Sequence, residues 1–126
     1  MDKKKELISA AAKAAQNAYA PYSKFKVGAA IISESGKIFT GCNVENASYG
    51  LTVCAERIAL FNAVTAGSQK FKSIVIYTAT DIPFYPCGAC RQVLAEFNPE
   101  LEVTIIWNKG EENLNLRELL PKQFKI

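Results

Sequence analysis

The sequence predicts a layered α/β fold built on one mixed central sheet, and three observations carry that expectation. An alanine-rich amphipathic stretch opens the chain, and two strand-like runs separated by a short turn follow it. Further on, two β-branched apolar runs flank a segment with helical spacing. With 126 residues, 49% of them hydrophobic, the chain can bury the core of one domain over 1–126 and is too short for two ordinary ones.

Residues 3–18 are rich in Ala, Lys, Glu and Gln, and Leu7, Ala10, Ala11, Ala14 and Ala18 can share one helical face. Pro21-Tyr22-Ser23 breaks this helix. Residues 26–33 and 37–42 then read as strands joined by Glu34-Ser35-Gly36, a β-hairpin. Residues 43–53 have no sustained period and read as a loop feeding a helix from near Cys54 to near Gly67. The runs 73–80 and 101–107 are strands, and between them 87–97 places Cys90, Val93, Leu94 and Phe97 at helical spacing, a βαβ unit. A short helix over 116–120 precedes Pro121.

Composition narrows the function. The net charge of +3 arises from 15 basic and 12 acidic side chains that are scattered apart from Lys3-Lys4-Lys5. A basic stripe with interleaved aromatics is missing, so nucleic acid is not expected as a partner and a small molecule is. No apolar run is long enough for a membrane span, and the basic, alanine-rich start is unlike a secretory leader. With Cys-x-x-Cys spacing, these features point to reduced cysteines, metal binding and a cytoplasmic location.

Chemistry concentrates in Cys54-Ala55-Glu56 and Pro86-Cys87-Gly88-Ala89-Cys90, which offer three thiolates and a carboxylate in a chain without histidine. A structural zinc takes four protein ligands, whereas a hydrolytic zinc takes three and leaves a position for water. Cys54, Cys87 and Cys90 supply three, and Glu56 is near enough to exchange protons with that water without coordinating. Cys54 and Cys87 would each sit at a helix N-terminus, where the dipole favours a thiolate. Three thiolates leave Zn²⁺ with a net negative charge, which Arg57 and the helix ends would offset. Two other readings of the cysteines stand beside this one. A structural Cys₄ zinc would recruit Cys42, which otherwise reads as a core thiol, and a redox Cys87–Cys90 pair would leave Cys54 and Glu56 without a role.

Cys54-Ala55-Glu56-Arg57 together with Pro86-Cys87-Gly88-Ala89-Cys90-Arg91-Gln92 resembles the zinc-dependent cytidine deaminase family, a class of enzyme whose chemistry is well described in general terms. The likeness extends to residues 19–25, 27–30, 41–47 and 119–121, nearly the whole chain. It implies an α/β/α deaminase-like domain acting on free nucleosides as a homotetramer, with one Zn²⁺ per subunit held by Cys54, Cys87 and Cys90. On this resemblance Asn43 and Glu45 would hydrogen-bond the sugar hydroxyl, Phe25 would pack against the substrate, and the backbone of Ala55 would contact the base. Tyr49 and Phe124 would complete the pockets of neighbouring subunits.

The reaction implied is hydrolytic deamination of cytidine and deoxycytidine, with Glu56 moving protons to ring N3 and then to the departing amino group. Considered without the resemblance, Asn43 and Glu45 are ordinary loop residues, Phe25, Tyr49 and Phe124 are core or interface aromatics, and Arg57 is a surface helix residue. A nucleoside antibiotic or a cytosine in a polynucleotide are the alternative substrates, and Phe84-Tyr85 makes the pocket rim bulky. A zinc-stabilised interaction module is the reading from outside enzymology; it predicts that Glu56 can be replaced without consequence.

Overall fold

In a computed structural model that describes residues 3–126, helix α1 (Lys3–Ala15) is followed by the antiparallel hairpin of β1 (Val27–Ser33) and β2 (Ile38–Cys42). A loop containing one 3₁₀ turn (Tyr49–Leu51) leads into α2 (Ala55–Thr65), and then come β3 (Phe71–Thr78), α3 (Gly88–Phe97) and β4 (Glu102–Trp107). The chain closes with β5 (Gly110–Asn115) and α4 (Leu116–Leu119). The sheet order is β2-β1-β3-β4-β5, with β3 and β4 parallel and the other pairs antiparallel, so the expected mixed sheet forms. The α3 crossover between β3 and β4 is the βαβ unit read from the sequence.

Period-two alternation sends the strand side chains into two separate cores. Ala30, Ile32 and Val75 meet Leu7 and Ala11 of α1 on one face. Ala29, Ile31, Ile74, Ile76, Val103 and Ile105 meet α2, α3 and α4 on the other. The result is three layers, α/β/α. All seven residues of β1 are buried, because this strand lies between α1 and α2.

Two glycines let the helices sit this close. A Cβ at Gly28 would stand 1.9 Å from the Ala11 carbonyl oxygen of α1, and one at Gly41 would stand 2.4 Å from the Ala59 nitrogen of α2. Backbone thus meets backbone on both faces of the hairpin, and α2 is pinned against β2 a turn beyond Cys54.

Several boundaries differ from expectation. α1 ends at Ala15 rather than 18, because Gln16, Asn17 and Ala18 make tightening bonds to carbonyls three residues back before Tyr19 N–H turns to donate to Asn43 O. Its buried face is Leu7, Ala11 and Ala15, while Ala10 and Ala14 are half-exposed. β3 begins two residues earlier than expected and stops at Thr78. Nothing in the sequence reading anticipated β5, whose residues Gly-Glu-Glu-Asn-Leu-Asn lack an apolar alternation and pair with β4 as an edge strand.

Candidate active site

Cys54 and Cys87 are the N-cap residues of α2 and α3, each with extended backbone, so two helix starts converge on one point. Cys90 follows one turn into α3 and is fully buried. The three sulfurs lie within 4.8 Å of one another, with Cys54 Sγ 3.8 Å from Cys87 Sγ and Cys87 Sγ 3.5 Å from Cys90 Sγ. Tetrahedral zinc with Zn–S bonds of about 2.3 Å needs sulfurs about 3.8 Å apart, so the cluster fits a zinc with little rearrangement. Cys42, at the end of β2 and half-buried, stands outside the cluster, which removes the four-cysteine reading.

The electrostatics suit a metal-ligating set. Hydrogen bonding from Cys90 pulls the Cys54 thiol down to about 5, and the Arg57 guanidinium adds to the effect. The same Cys54 contact, with burial, pushes the Cys90 thiol strongly up. Arg57 Nη2 lies 3.7 Å from Cys54 Sγ and 3.4 Å from Thr52 O, and Arg57 Nε is buried with no acceptor among the described residues. Positive charge is therefore packed directly against the sulfurs.

Glu56 is 4% exposed, and burial pushes its carboxyl up to about 7, with the Cys54 charge acting in the same direction. It lines a cleft of about 290 Å³ together with Cys54, Ala55 and Cys87. Apolar walls come from Phe25, Val27, Ile76 and Phe84, and the rings of Phe25 and Phe84 meet edge to face at 4.9 Å. Ser23, Asn43, Glu45 and Thr52 also line the cleft, and Ser23, Glu45 and Thr52 border an adjoining hollow that the cysteines and Glu56 do not reach. Proton-transfer chemistry at one end and hydrogen-bonding groups at the other can bind, orient and protonate a small polar molecule.

A family model described as the cytidine and deoxycytidylate deaminase zinc-binding region matches residues 1–106. The chain belongs to this deaminase family. Cytidine deaminase from Sporosarcina psychrophila is 48% identical over 121 residues, covering 94% of this chain and 89% of the relative. The crystal structure of cytidine deaminase from Burkholderia pseudomallei is 51% identical, with a TM-score of 0.90 over 95% of this chain and 98% of that one. The cytidine deaminase structure from Mycobacterium tuberculosis is 36% identical, with a TM-score of 0.86 and complete coverage of both chains. The chain is a hydrolytic deaminase with the α/β/α fold of its family, and its cofactor is zinc, for which Cys54, Cys87 and Cys90 are a fitting site.

Of the residues singled out in the sequence, this deaminase brings Phe25, Asn43, Glu45, Cys54, Ala55, Glu56 and Cys87 to one cleft. Asn43 is already occupied there: its Oδ1 accepts from Val27 N–H at 2.9 Å and its Nδ2 donates to Phe25 O at 2.8 Å. Tyr49 and Phe124 are not in the cleft of their own chain. Tyr49 is 75% exposed on the 3₁₀ turn, edge to face with Tyr22, and Phe124 is 73% exposed on a tail held to α3 by paired bonds with Gln92. Ser23 and Thr52 line the cleft and were not anticipated. The Pro-Tyr-Ser turn signal located Ser23 without revealing its contacts, and Thr52 carried no signal.

Proposed function

We propose that the chain works over 1–126 as one deaminase domain that hydrolyses cytidine and deoxycytidine to uridine and deoxyuridine with release of ammonia. The observation that carries this reading is the buried Glu56 carboxyl, held at about 7 beside a three-cysteine cluster in an otherwise apolar cleft. Cys54, Cys87 and Cys90 would hold the zinc, which would supply Lewis acidity towards water. Glu56 accepts a proton from the attacking water and passes it to ring N3 as the water oxygen bonds to C4. It then carries the proton of the new C4 hydroxyl to the amino group, so that the C4–N bond breaks, ammonia leaves and the C4 carbonyl forms. A carboxyl balanced near neutrality can perform both transfers, whereas one at its ordinary value would be a poor acid.

Placement in the cleft supports the other roles. Phe25 packs on the substrate ring, the Ala55 backbone at the start of α2 meets the base, and Asn43 and Glu45 address the sugar hydroxyl. Arg57 offsets the sulfur charge. Among the described residues, no lysine or arginine lines the cleft or the adjoining hollow of Tyr22, Ser23, Glu45, Tyr49 and Thr52, while Glu45 and Glu56 are acidic. That charge pattern favours a nucleoside over a nucleotide or polynucleotide, which would bring phosphate to carboxylate.

Exposure of the aromatic rings of Tyr49 and Phe124 supports a homotetramer in which each subunit completes its neighbour's pocket. No described helix is long and apolar enough to cross a membrane. A reducing cytoplasm would keep the three thiols available to zinc.

Ultraviolet absorbance of the zinc-loaded protein with cytidine, deoxycytidine and deoxycytidylate tests the reading. The two nucleosides should convert and the nucleotide should not. A zinc-replete protein that leaves both nucleosides unchanged overturns it. Light scattering should give four subunits, and a monomer would remove Tyr49 and Phe124 from the site.

A further inference from the structure

We propose that Ser23 is a positioning residue for the sugar end of the cleft: its hydroxyl fixes the Glu45 carboxylate so that one oxygen lone pair stays open to a substrate hydroxyl. The inference rests on the nucleoside reading above and extends it to a residue outside both cysteine motifs.

A carboxylate has about four acceptor positions. Glu45 Oε1 accepts from two backbone donors, Tyr22 N–H at 2.9 Å and Ser23 N–H at 3.1 Å. Oε2 accepts from the Ser23 hydroxyl. Three donors among the described residues therefore engage Glu45, and one position on Oε2 remains for a ligand. Ser23 Oγ in turn accepts from Phe25 N–H at 3.1 Å, so its only proton is committed to Glu45 and its own rotation is fixed. These contacts hold the Glu45 carboxyl below the usual carboxylate range, with the Ser23 hydroxyl as the largest cause. The group facing the cleft is thus an anion that can only accept.

The backbone is bent to make this possible. Among the described residues, Lys24 is the only non-glycine with positive φ, at 68°, and this left-handed step lets the Ser23 side chain reach forward to Phe25 N–H. Asn43 Nδ2 holds the carbonyl of the same Phe25. Ser23 and Asn43 therefore grip both polar groups of the residue that forms the cleft wall, and Ser23 alone also orients the anion beside it. Without the hydroxyl, only Oε1 stays anchored and Oε2 can rotate towards water. A ligand hydroxyl then loses a charge-assisted partner, whereas a ligand lacking that hydroxyl loses nothing.

The test is steady-state kinetics of the zinc-loaded protein, Ser23→Ala and Ser23→Thr, with cytidine and with 2′,3′-dideoxycytidine measured as substrate or competitive inhibitor. Ser23→Ala should raise the KM for cytidine roughly tenfold with kcat within about twofold, and leave the dideoxy compound unaffected. Ser23→Thr, which keeps the hydroxyl, should restore the cytidine KM. Equal losses for both ligands, or an unchanged cytidine KM, overturn the assignment while leaving the deaminase reading intact. A parent protein that turns over neither cytidine nor deoxycytidine overturns both. If Ser23→Ala does not fold, Ser23→Gly removes the same oxygen at a turn position and takes its place in the comparison.

Discussion

The two ends of the cleft are built on different principles. At the metal end, Cys54, Cys87 and Cys90 ride on two helix starts that rest on the buried face of the sheet, and Glu56 is nearly inaccessible. At the other end, Ser23, Phe25 and Glu45 belong to exposed or half-exposed loops, held by side-chain to backbone hydrogen bonds rather than by a core. Reaction chemistry needs closely placed sulfurs and a carboxyl kept from water, which the packed helices provide here. Recognition of a hydroxyl tolerates a loop, provided each polar group in it is committed.

This contrast can be broken most decisively at Glu56. Glu56→Gln should retain zinc and the fold while losing roughly 10²- to 10⁴-fold in kcat, read by absorbance alongside metal content. Full activity in that variant would mean that Glu56 does not carry the protons. Stripping zinc with a chelator comes next: melting should show a loss of about 2.7 kcal/mol for metal originally present at 100 times its dissociation constant. Hydrogen exchange should then rise at the starts of α2 and α3, with little change at the bonded residues 23–27.

Gly41→Ala sharpens the same contrast from the core side. Its Cβ would overlap the α2 backbone, so destabilisation of about 1–3 kcal/mol is expected together with weaker zinc retention, because α2 carries Cys54. Asn43→Ala, acting at the loop end, should cost about 1–2 kcal/mol for two lost backbone partners and raise the KM for cytidine with zinc content unchanged.

The smallest effect concerns pH. The Glu45 carboxyl is depressed in the folded state, so its stabilising contribution is complete above the unfolded value of about 4.5 and is lost as pH falls through the lower folded value. The stability advantage of the parent over Glu45→Gln should therefore shrink in acid and be constant near neutrality, as denaturation at several pH values would show. A constant difference at all pH values would mean that the carboxylate charge is not what the loop recognises.

Legibility in the sequence followed the same division. Helix periodicity, the hairpin turn at Gly36 and the β-branched runs revealed the sheet and its crossover, because each of these signals is local. The meeting of the three cysteines was readable because few side chains bind zinc, and that of Glu56 with them because it lies two residues from Cys54. Asn43 was anticipated at the site, but its grip on Phe25 and Val27 lies 18 and 16 residues away along the chain, beyond what spacing can report. Ser23 was named only as part of a helix-breaking turn, since its task depends on Glu45, which the fold brings from 22 residues away. β5 was invisible because Leu114 is its only large apolar side chain, so no apolar alternation marks it.

That polarity has a consequence for how the molecule behaves in a crowded solution. β5 closes one side of the sheet, and a bare strand edge can recruit another chain by backbone pairing. Glu111 and Glu112 lie on that edge, Glu111 paired with Lys4 and Glu112 accepting from Tyr85 at 2.5 Å. Charges placed there make open-ended growth of the sheet unfavourable. The strand that carried no strand signal is thus the one whose charges discourage edge-to-edge pairing.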